Sequence, residues 1–370
     1  MRILSIEPTP NPNSMKIVLD ERLPVGERFT YRMSNPGNQI TQKILAVSGV
    51  NELFRAADFM SVQRNPGANW RDILSAIRQI VDGRNAISSD DKSALTNRAS
   101  DEAAVAIQFF RGMPMLIRID FDGQQKRVAL AKRFNNAIAE VIPHVENMLA
   151  ERQWVSWGQR YGKIGEIESA ITAEIEALYP TWRITQLVKK ALLKNGELTE
   201  EKRISPSNAE QLLESDDWKE RFRALETIGP NPSKIEELIS CITDERMTIR
   251  RLAAVLLGMV NDRRVVPVLC KAVSTDPAVA VRRTAGDSLN DHGDNGAIPV
   301  MINALKDRSH LVRWRAARFL FEFGDKTALE GLKDIQLDPV FEVSMQARLA
   351  IERIEGAKQG DKTVWEEITE

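Results

Sequence analysis

Cysteine is nearly absent from this sequence of 370 residues: the only two, Cys241 and Cys270, stand 29 positions apart. An iron–sulfur cluster or a cysteine-only zinc site needs four thiolates, so one chain cannot build either from cysteine alone. A disulfide framework is excluded for the same reason. Both cysteines align with apolar positions of the repeats described below, which predicts buried thiols that pack as small hydrophobic side chains.

The sequence also lacks an excess of one charge and a long apolar run. The formal net charge is -1; residues 1–215 carry 28 basic and 26 acidic side chains, and residues 216–370 carry 23 and 26. Neither half is a basic domain, which argues against nucleic acid as the main partner. No apolar stretch approaches the ~20 residues that span a bilayer, and the start lacks the pattern of a secretory signal. We therefore expect a cytoplasmic protein without membrane contact.

Local signatures of catalysis are missing as well. The three histidines, His144, His292 and His310, lie far apart, and no H-x-x-x-H motif is present. A nucleophile elbow, a Walker A loop and a dinucleotide-binding glycine motif are also absent. We therefore predict a protein that is not an enzyme, with no catalytic residue, no metal site and no cofactor.

The first 82 residues carry the pattern of a small α/β domain. Short runs rich in apolar residues predict strands, and turn residues separate them. Two segments place apolar residues at helical spacing, and Asn69 stands where it can cap the second of them. The predicted strands are residues 3–6, 15–19, 29–33, 50–54 and 59–62, and the predicted helices are 39–46 and 70–81.

Three prolines within five residues interrupt the chain between the first two predicted strands. Proline removes a backbone donor and fixes φ, so this segment is predicted to be a stiff loop. One interpretation is a rigid connector that sets the strand spacing, and the other is a docking surface for a second protein. The candidate protein-binding residues of the loop are Thr9, Pro10, Asn11, Pro12 and Asn13.

Several short motifs follow one another in a fixed order within this domain. They are Thr-Pro-Asn-Pro-Asn followed by Lys16, Ser48-Gly49-Val50, Leu53-Phe54, Asp58-Phe59-Met60-Ser61-Val62, and Trp70 at the start of a helix. This order resembles the N-terminal domain of the NifU-like (Nfu) iron–sulfur scaffold proteins. That family holds its cluster in a separate domain with a CxxC pair, which this chain lacks. The resemblance therefore implies the fold without the cluster.

Residues 83–210 combine strand and helix patterns. Apolar runs at 103–110 and 115–121 predict two strands, and Asp122-Gly123 favours a hairpin turn into a third at 127–130. Helical spacing then predicts a helix over 130–150, with a kink or break at Pro143. We expect a second small α/β unit here, followed by helices that lead into the repeats; the predicted helices are 164–178 and 182–193.

A group of aromatic residues with basic neighbours follows the helix predicted over 130–150. Trp154, Trp157 and Tyr161 stand at helical spacing beside Arg152 and Arg160. Such a group can stack on the bases of single-stranded nucleic acid. It can also cover a junction between domains, and the lack of a basic surplus around it favours the junction.

A period near 31 residues is the most regular feature of the chain. Asp244, Asp276, Asp307 and Asp338 each open a repeat, at spacings of 32, 31 and 31. An apolar–Arg pair, a pair of small residues and a leucine follow at matching positions, and then a turn and a second helix. Neither helix of a repeat can bury its apolar face alone, so neighbouring repeats must stack. We place four to five helix pairs in residues 211–360 and a tail at 361–370.

The repeat pattern has the form Asp-x4-Val-Arg-x-x-Ala-Ala-x-x-Leu, as between Asp307 and Leu320. It resembles HEAT-like repeats of the type first named from phycobilisome lyases, which implies a helical solenoid but no single function. We therefore expect an α+β multidomain protein with an all-α C-terminal solenoid. An Nfu-like domain followed by such repeats resembles the bacterial family called conserved virulence factor C. That resemblance implies a cytoplasmic protein that affects virulence traits and has no known chemical activity.

The arginines that recur in the repeats allow two interpretations. Arg250, Arg282 and Arg313 could form a row of guanidinium groups that binds phosphates. The aspartates at the start of each repeat favour the other interpretation, an Asp–Arg ladder between adjacent repeats. Further basic residues keep the first alternative open; they are Arg251, Arg283, Arg315 and Arg318.

The function that these patterns favour is a protein-binding adaptor. The concave surface of the repeats, near Lys271, Asn303 and Lys306, would hold one protein partner. The first domain would dock a second one, with a link to iron–sulfur assembly or to virulence regulation. The alternatives are a nucleic-acid-binding protein that uses the repeat arginines and a lyase-like or tetrapyrrole-handling protein.

Overall fold

The structure is a computed structural model that describes residues 1–9, 11, 13–24, 26–65, 68–82, 102–121, 124–193 and 206–356. The described residues fall into two compact units. The first combines residues from 1–100 and from 301–370, and the second lies within 101–300. The segment boundaries predicted at 82, 210 and 360 stay a prediction.

In the first unit, a five-stranded antiparallel sheet carries two helices. The alternation of buried and half-buried residues along its second and fifth strands gives the sheet one core face. The order is β1-β2-β5-β4-β3. The strands are β1 (Ile3–Pro8), β2 (Ser14–Leu19), β3 (Arg28–Tyr31), β4 (Val50–Ala56) and β5 (Phe59–Arg64), and the helices are α1 (Gln39–Leu45) and α2 (Trp70–Asp82).

Side-chain caps fix the start of both helices. The Asn38 side-chain oxygen accepts hydrogen bonds from the backbone of Ile40 and Thr41, both at 3.0 Å. The Asn69 side-chain oxygen accepts from the backbone N–H of Arg71 at 2.9 Å, as its position before α2 predicts. The apolar faces of these helices close over the sheet, and Trp70 is fully buried at the start of α2.

The second unit begins with a four-stranded antiparallel sheet of order β8-β7-β6-β9. Its strands are β6 (Glu102–Phe110), β7 (Met113–Phe121), β8 (Gln124–Ala129) and β9 (Arg152–Tyr161). The helices α3 (Lys132–Val141) and α4 (Ile164–Leu178) contact β7, and α5 (Thr181–Leu192) packs on α3. The break predicted at Pro143 is confirmed, since α3 ends at Val141, but the continuation of a helix to residue 150 is wrong. Pro143 lies in a short 3-10 turn, because proline cannot donate the next helical hydrogen bond.

The helical spacing of Trp154, Trp157 and Tyr161 is also a wrong prediction, because all three lie on strand β9. A β-bulge explains the misleading pattern. Ser156 pairs with Ala106 while Gly158 pairs with Val105, so Trp157 is an extra residue on its strand. The extra residue breaks the two-residue alternation that a strand otherwise shows.

Paired helices make up the remainder of the described chain. Each predicted opening aspartate stands three residues before a first helix, and a second helix follows in the repeats that Asp244, Asp276 and Asp307 open. The helices within residues 101–300 are α6 (Pro206–Leu212), α7 (Trp218–Ile228), α8 (Ile235–Cys241), α9 (Met247–Gly258), α10 (Val265–Thr275) and α11 (Val279–His292). After α12 (Ile298–Ala304) come α13 (His310–Phe323), α14 (Leu329–Asp334) and α15 (Phe341–Glu355). The predicted α+β multidomain fold with HEAT-like helices is confirmed.

Small residues allow the first helices of neighbouring repeats to approach each other. Ala254 is fully buried on α9, and its carbonyl accepts a hydrogen bond from the Ser288 hydroxyl of α11 at 2.8 Å. A Cβ atom added to Gly258 would collide with the side chain of Ser288. The close contact between α9 and α11 therefore depends on these small side chains.

Candidate interaction surfaces

The proline loop is held by its own polar side chains. Thr9 Oγ1 donates to the backbone oxygen of Asn11 at 2.9 Å, and Asn11 Oδ1 accepts from the backbone N–H of Asn13 at 2.9 Å. Asn13 is buried, and its Oδ1 accepts from Arg64 Nε at 3.2 Å. These hydrogen bonds restrain the loop, as expected for a rigid connector. Asn11 stays exposed. Pro10 and Pro12 lie outside the described residues.

In three of the repeats, an arginine at the matching position binds the aspartate that opens the next repeat. Arg250 Nε donates to Asp276 Oδ2 at 2.7 Å, and its Nη2 donates to Asp276 Oδ1 at 3.2 Å. Its Nη1 donates to the backbone oxygen of Asp244 at 2.8 Å. One guanidinium thus joins the start of its own repeat to the start of the following one. The same bidentate contact joins Arg313 to Asp338 and Arg221 to Asp244.

Little of this positive charge is available to a phosphate ligand. Arg282 is buried, and its Nη1 donates to the backbone oxygens of Asp276 at 2.9 Å and Pro277 at 3.2 Å. The side chains of Arg250 and Arg313 are only 12% and 14% exposed. The geometry favours an inter-repeat ladder over the phosphate-binding interpretation.

A buried carboxylate organises the region where the second sheet meets the repeats. Glu174, on α4, is 2% exposed and accepts hydrogen bonds from three side chains. Its Oε2 accepts from Arg160 Nη2 at 3.1 Å and from Trp157 Nε1 at 3.2 Å. Its Oε1 accepts from Arg251 Nη2 at 3.2 Å. Since Arg160 belongs to β9 and Arg251 to α9, Glu174 connects the sheet to the repeats.

The electrostatics of this group follow from its burial. Burial opposes ionisation of Glu174, but the charges of Arg251 and Arg160 and the hydrogen bond from Trp157 outweigh it, so its pKa is lowered. Burial, reinforced by the neighbouring charge of Arg251, lowers the pKa of Arg160 to about 10. The group is a structural ion cluster, and no catalytic role follows from it.

Four further arginines of the repeats, Arg251, Arg283, Arg315 and Arg318, are also largely shielded from solvent. Arg283 is 1% exposed, pairs with Asp287, and places its guanidinium 4.7 Å from the ring centre of Tyr161. Arg318 pairs with Glu322 at 2.5 Å. With Arg251 and Arg315 likewise enclosed, these four side chains do not form an exposed basic surface.

The three aromatic residues of β9 have separate surroundings. Trp157 is held by Glu174, and Tyr161 lies against Arg283, so both belong to the junction between the sheet and the repeats. Trp154 is 39% exposed and stacks on Arg118, whose Cζ is 4.8 Å from its ring centre. The junction interpretation therefore fits two of the three residues.

The residues predicted to face a partner lie at exposed positions. Lys271 is on α10, Asn303 is on α12, and Lys306 follows α12. Lys306 Nζ lies 3.7 Å from Asp334, a contact between two largely exposed side chains. In the described part of the chain, the side chains of Lys271 and Asn303 have no hydrogen-bond partner or ion pair. They are thus available to another molecule.

The two thiols are buried and stay protonated at neutral pH. Cys241 and Cys270 are both free and buried, and burial raises the pKa of each to about 11. Within the described ranges, no group of three or more His, Cys, Asp or Glu side chains is placed to hold a metal ion. In the same ranges, no helix has the length and apolar character needed to cross a membrane.

Sequence reasoning missed two groups of contacts. Glu174 occupies the apolar stripe of α4 formed by Ile167, Ile171 and Leu178, and a charged residue in such a stripe was the available signal. The second group joins the N-terminal sheet to α15 of the same compact unit. Arg64 Nη1 donates to Glu342 Oε1 at 2.6 Å. No local pattern connects residues so distant in sequence.

Three family profiles match successive segments of the chain. The profile described as "Scaffold protein Nfu/NifU N terminal" matches residues 3–86. One described as "Virulence factor" matches residues 108–188, which include most of the second sheet and α3 to α5. A profile of HEAT repeats matches residues 206–290 and again 266–352. Three successive segments of the chain thus each have their own family resemblance.

Two curated relatives match along the whole chain. "Conserved virulence factor C" of Staphylococcus saprophyticus is 35% identical, covering 100% of this chain and 98% of the relative. The protein YpgR of Bacillus subtilis is 39% identical with the same coverage. A crystal structure of a Staphylococcus aureus protein is 36% identical and covers 22% of this chain and 98% of that chain, with a TM-score of 0.21.

Proposed function

The chain belongs to the conserved virulence factor C family, and on that premise we propose that it is a non-catalytic adaptor for protein partners. Its binding residues lie on the exposed sides of the second helices of the repeats, with Lys271 in the second compact unit and Asn303 and Lys306 in the first. The N-terminal domain provides a second docking surface around Asn11. A link to iron–sulfur assembly or virulence regulation, and a cytoplasmic location, belong to the same proposal.

One observation carries this proposal. The recurring arginines and aspartates of the repeats bind one another, whereas Lys271 and Asn303 make no contact that holds the repeats together. Arg250 and Asp276 are engaged with each other. Lys271 and Asn303 are exposed, and within the described residues their side chains have no partner. Repeat proteins bind their ligands on the extended surface that their stacked helices create, and side chains without a partner in the fold are available there.

The two alternative functions have weaker support. A nucleic-acid-binding role needs exposed guanidinium groups, but the repeat arginines are paired or buried. A tetrapyrrole-handling or lyase-like role would need a reactive thiol, and burial raises the pKa of both cysteines to about 11. The nucleic-acid alternative is an outcome that the following test can reveal.

The test compares full-length variants that carry equal charge changes. The variant Lys271→Glu/Lys306→Glu alters the proposed surface, and Lys189→Glu/Lys190→Glu alters two exposed lysines of α5 by the same charge. Each tagged protein is used to capture partners from a nuclease-treated lysate, after circular dichroism has shown equal folding. We expect a protein that the wild type and the α5 variant retain and the first variant loses.

Two results would contradict the proposal. Equal retention by all three proteins would remove the second helices from the binding surface. Retention of nucleic acid alone, and only when nuclease is omitted, would favour the nucleic-acid alternative and make strong salt dependence the next observation to seek.

A further inference from the structure

The two outer strands of the β8-β7-β6-β9 sheet are protected to different degrees. An unpaired edge strand exposes backbone donors and acceptors that can pair with another chain, and natural sheets discourage this with charged side chains. Edge strand β8 carries Lys126 and Arg127, both exposed. Lys126 also binds Glu168 at 2.5 Å. This edge therefore has the usual protection against strand pairing.

The C-terminal half of edge strand β9 is sealed by its own contacts. Arg160 Nη1 donates to the backbone oxygens of Trp157 at 2.8 Å and Gln159 at 3.2 Å. Tyr161 lies under the guanidinium of Arg283. The bulge at Trp157 further interrupts this part of the strand. No extended segment can pair there without displacing these side chains.

The N-terminal half of β9 has no such protection. Gln153 to Ser156 are all exposed, with Trp154 at 39% and Val155 at 41%. In the described sheet, this strand pairs with β6 alone, so its outer side has no neighbouring strand. Trp154 and Val155 point to opposite faces, because successive residues of a strand alternate. The open edge thus offers unpaired backbone groups with an apolar side chain on each face.

The charge around this edge identifies the kind of segment that fits it. Residues 152–165 contain three basic residues, Arg152, Arg160 and Lys163, and no acidic residue; Arg152 directly precedes the open half, and Glu151 before it is paired with Arg111. Glu174 neutralises Arg160. Arg152 and Lys163 form no ion pair within the described residues. A complementary strand would therefore carry acidic side chains.

We propose that Gln153–Ser156 is a docking edge that accepts an extended acidic segment of a partner protein as an added strand. Main-chain hydrogen bonds supply the affinity in this mode of recognition, and alternate side chains supply the specificity. The inference rests on the proposed adaptor function and names one of its surfaces. A second copy of the chain fits less well, because it brings the same positive charge and because four residues bury far less than the roughly 1,200 Å² of a stable dimer.

The probe is a fluorescent peptide of alternating glutamate and valine, and the comparison peptide has lysine in place of glutamate. Both are titrated into the full-length protein by fluorescence anisotropy, and hydrogen exchange of the backbone amides is measured in parallel. We expect the acidic peptide to bind more tightly than the basic one at low salt. Its binding should slow exchange at residues 153–156 and leave the amides of β8 unchanged.

Two matched variants place one carboxylate on each edge of the same sheet. Val155→Glu should weaken binding of the acidic peptide at least tenfold, and Gln125→Glu on β8 should leave it unchanged. Arg152→Gln, which retains the apolar edge, should weaken binding several-fold and reduce its salt dependence. This third variant keeps the test valid if Val155→Glu fails to fold.

Four outcomes would overturn the docking edge: no slowed exchange at residues 153–156, equal binding by Val155→Glu, equal binding of the basic peptide, or concentration-dependent self-association that Val155→Glu abolishes. If the docking edge is overturned, the adaptor function is still supported when Val155→Glu captures the same protein as the wild type does. The adaptor function fails separately, when wild-type protein captures no protein at all.

Discussion

At the scale of the residue, one buried carboxylate decides how the second sheet meets the repeats. Glu174 is enclosed with Arg160 and Arg251, so two positive charges share one negative charge away from water. Taking charges out of water is costly, and the cost is offset only when each has a partner. The cluster therefore specifies one arrangement of strand β9, α4 and α9 more than it adds stability.

Removal of that carboxylate should be strongly destabilising. Glu174→Ala leaves both guanidinium groups buried without a counter-charge, and we expect a loss of about 3–5 kcal/mol. Hydrogen exchange should rise in both α4 and α9. Glu168→Ala on the same helix, which breaks only the exposed contact with Lys126, should cost no more than about 1 kcal/mol. Similar losses for the two variants would contradict the cluster's role.

The same residue predicts a pH dependence. Its pKa in the folded state lies below the ordinary value of 4.5, so ionised Glu174 stabilises the fold. That contribution to stability is complete when the pH lies above the ordinary pKa of 4.5. It is lost as the pH falls through the lowered pKa of the folded state. The free energy of unfolding of the wild type should fall in this acid range. The isosteric variant Glu174→Gln should be less stable at neutral pH and show a smaller fall, and an equal fall in both proteins would contradict the assignment.

Part of the residue-scale picture could be predicted from the sequence. Asn69 precedes an apolar helical pattern, and it caps α2 as expected. The partners of Glu174 could not be predicted, because they lie on a strand, a helix and a repeat that the chain brings together only in three dimensions. The same holds for Arg64 and Glu342.

At the scale of the element, the period of side-chain burial determines what the sequence can reveal. The repeats keep a regular helical period, so their helices follow the predicted order. Strand β9 does not keep its period of two, since the bulge at Trp157 shifts the later residues by one position. The three-residue spacing from Trp154 to Trp157 then resembles the spacing of side chains on one face of a helix. β9 is a strand because it pairs with β6, and a short stretch of sequence contains no signal for that pairing.

The Asp–Arg ladder gives a prediction for the repeat as an element. Arg250→Ala leaves Asp276 nearly buried without its bidentate partner, and we expect a loss of about 2–4 kcal/mol. Arg250→Lys should recover only part of this, because lysine cannot make two parallel bonds and also reach the Asp244 carbonyl. Urea unfolding curves measure both effects.

An exposed arginine supplies the control for the ladder. Arg264 pairs with Asp262 and Glu236 on the surface, where water screens the charges, so Arg264→Ala should leave the urea unfolding curve nearly unchanged. If Arg250→Ala proved as mild as this control, the ladder would have no structural role and the phosphate-binding interpretation would regain support.

At the scale of the whole molecule, the two ends of the described chain share one core. Met345 of α15 is buried among the apolar residues of the N-terminal sheet, and Phe341 and Leu349 pack beside it. Arg64 reinforces the contact through Glu342 and lies over the ring of Trp70. The N-terminal domain therefore covers the apolar side of the last helix, as a capping repeat would.

This shared core predicts coupled stability between distant parts of the sequence. Met345→Ala should cost about 2–4 kcal/mol, and hydrogen exchange should rise in the N-terminal sheet as well as in α15. The matched variant Met259→Ala, at a position that is 65% exposed, should have little effect. Faster exchange confined to α15 would mean that the two parts are stable independently.

The central claim is that the exposed side of the second helices binds a protein. The most direct measurement is site-specific photocross-linking in cells, with a photoreactive amino acid at Lys271 and, as the control, at the exposed Lys189 of α5. We predict one discrete protein adduct from position 271 and none from position 189. No protein adduct at position 271, or the same set of adducts at both positions, would contradict the adaptor function.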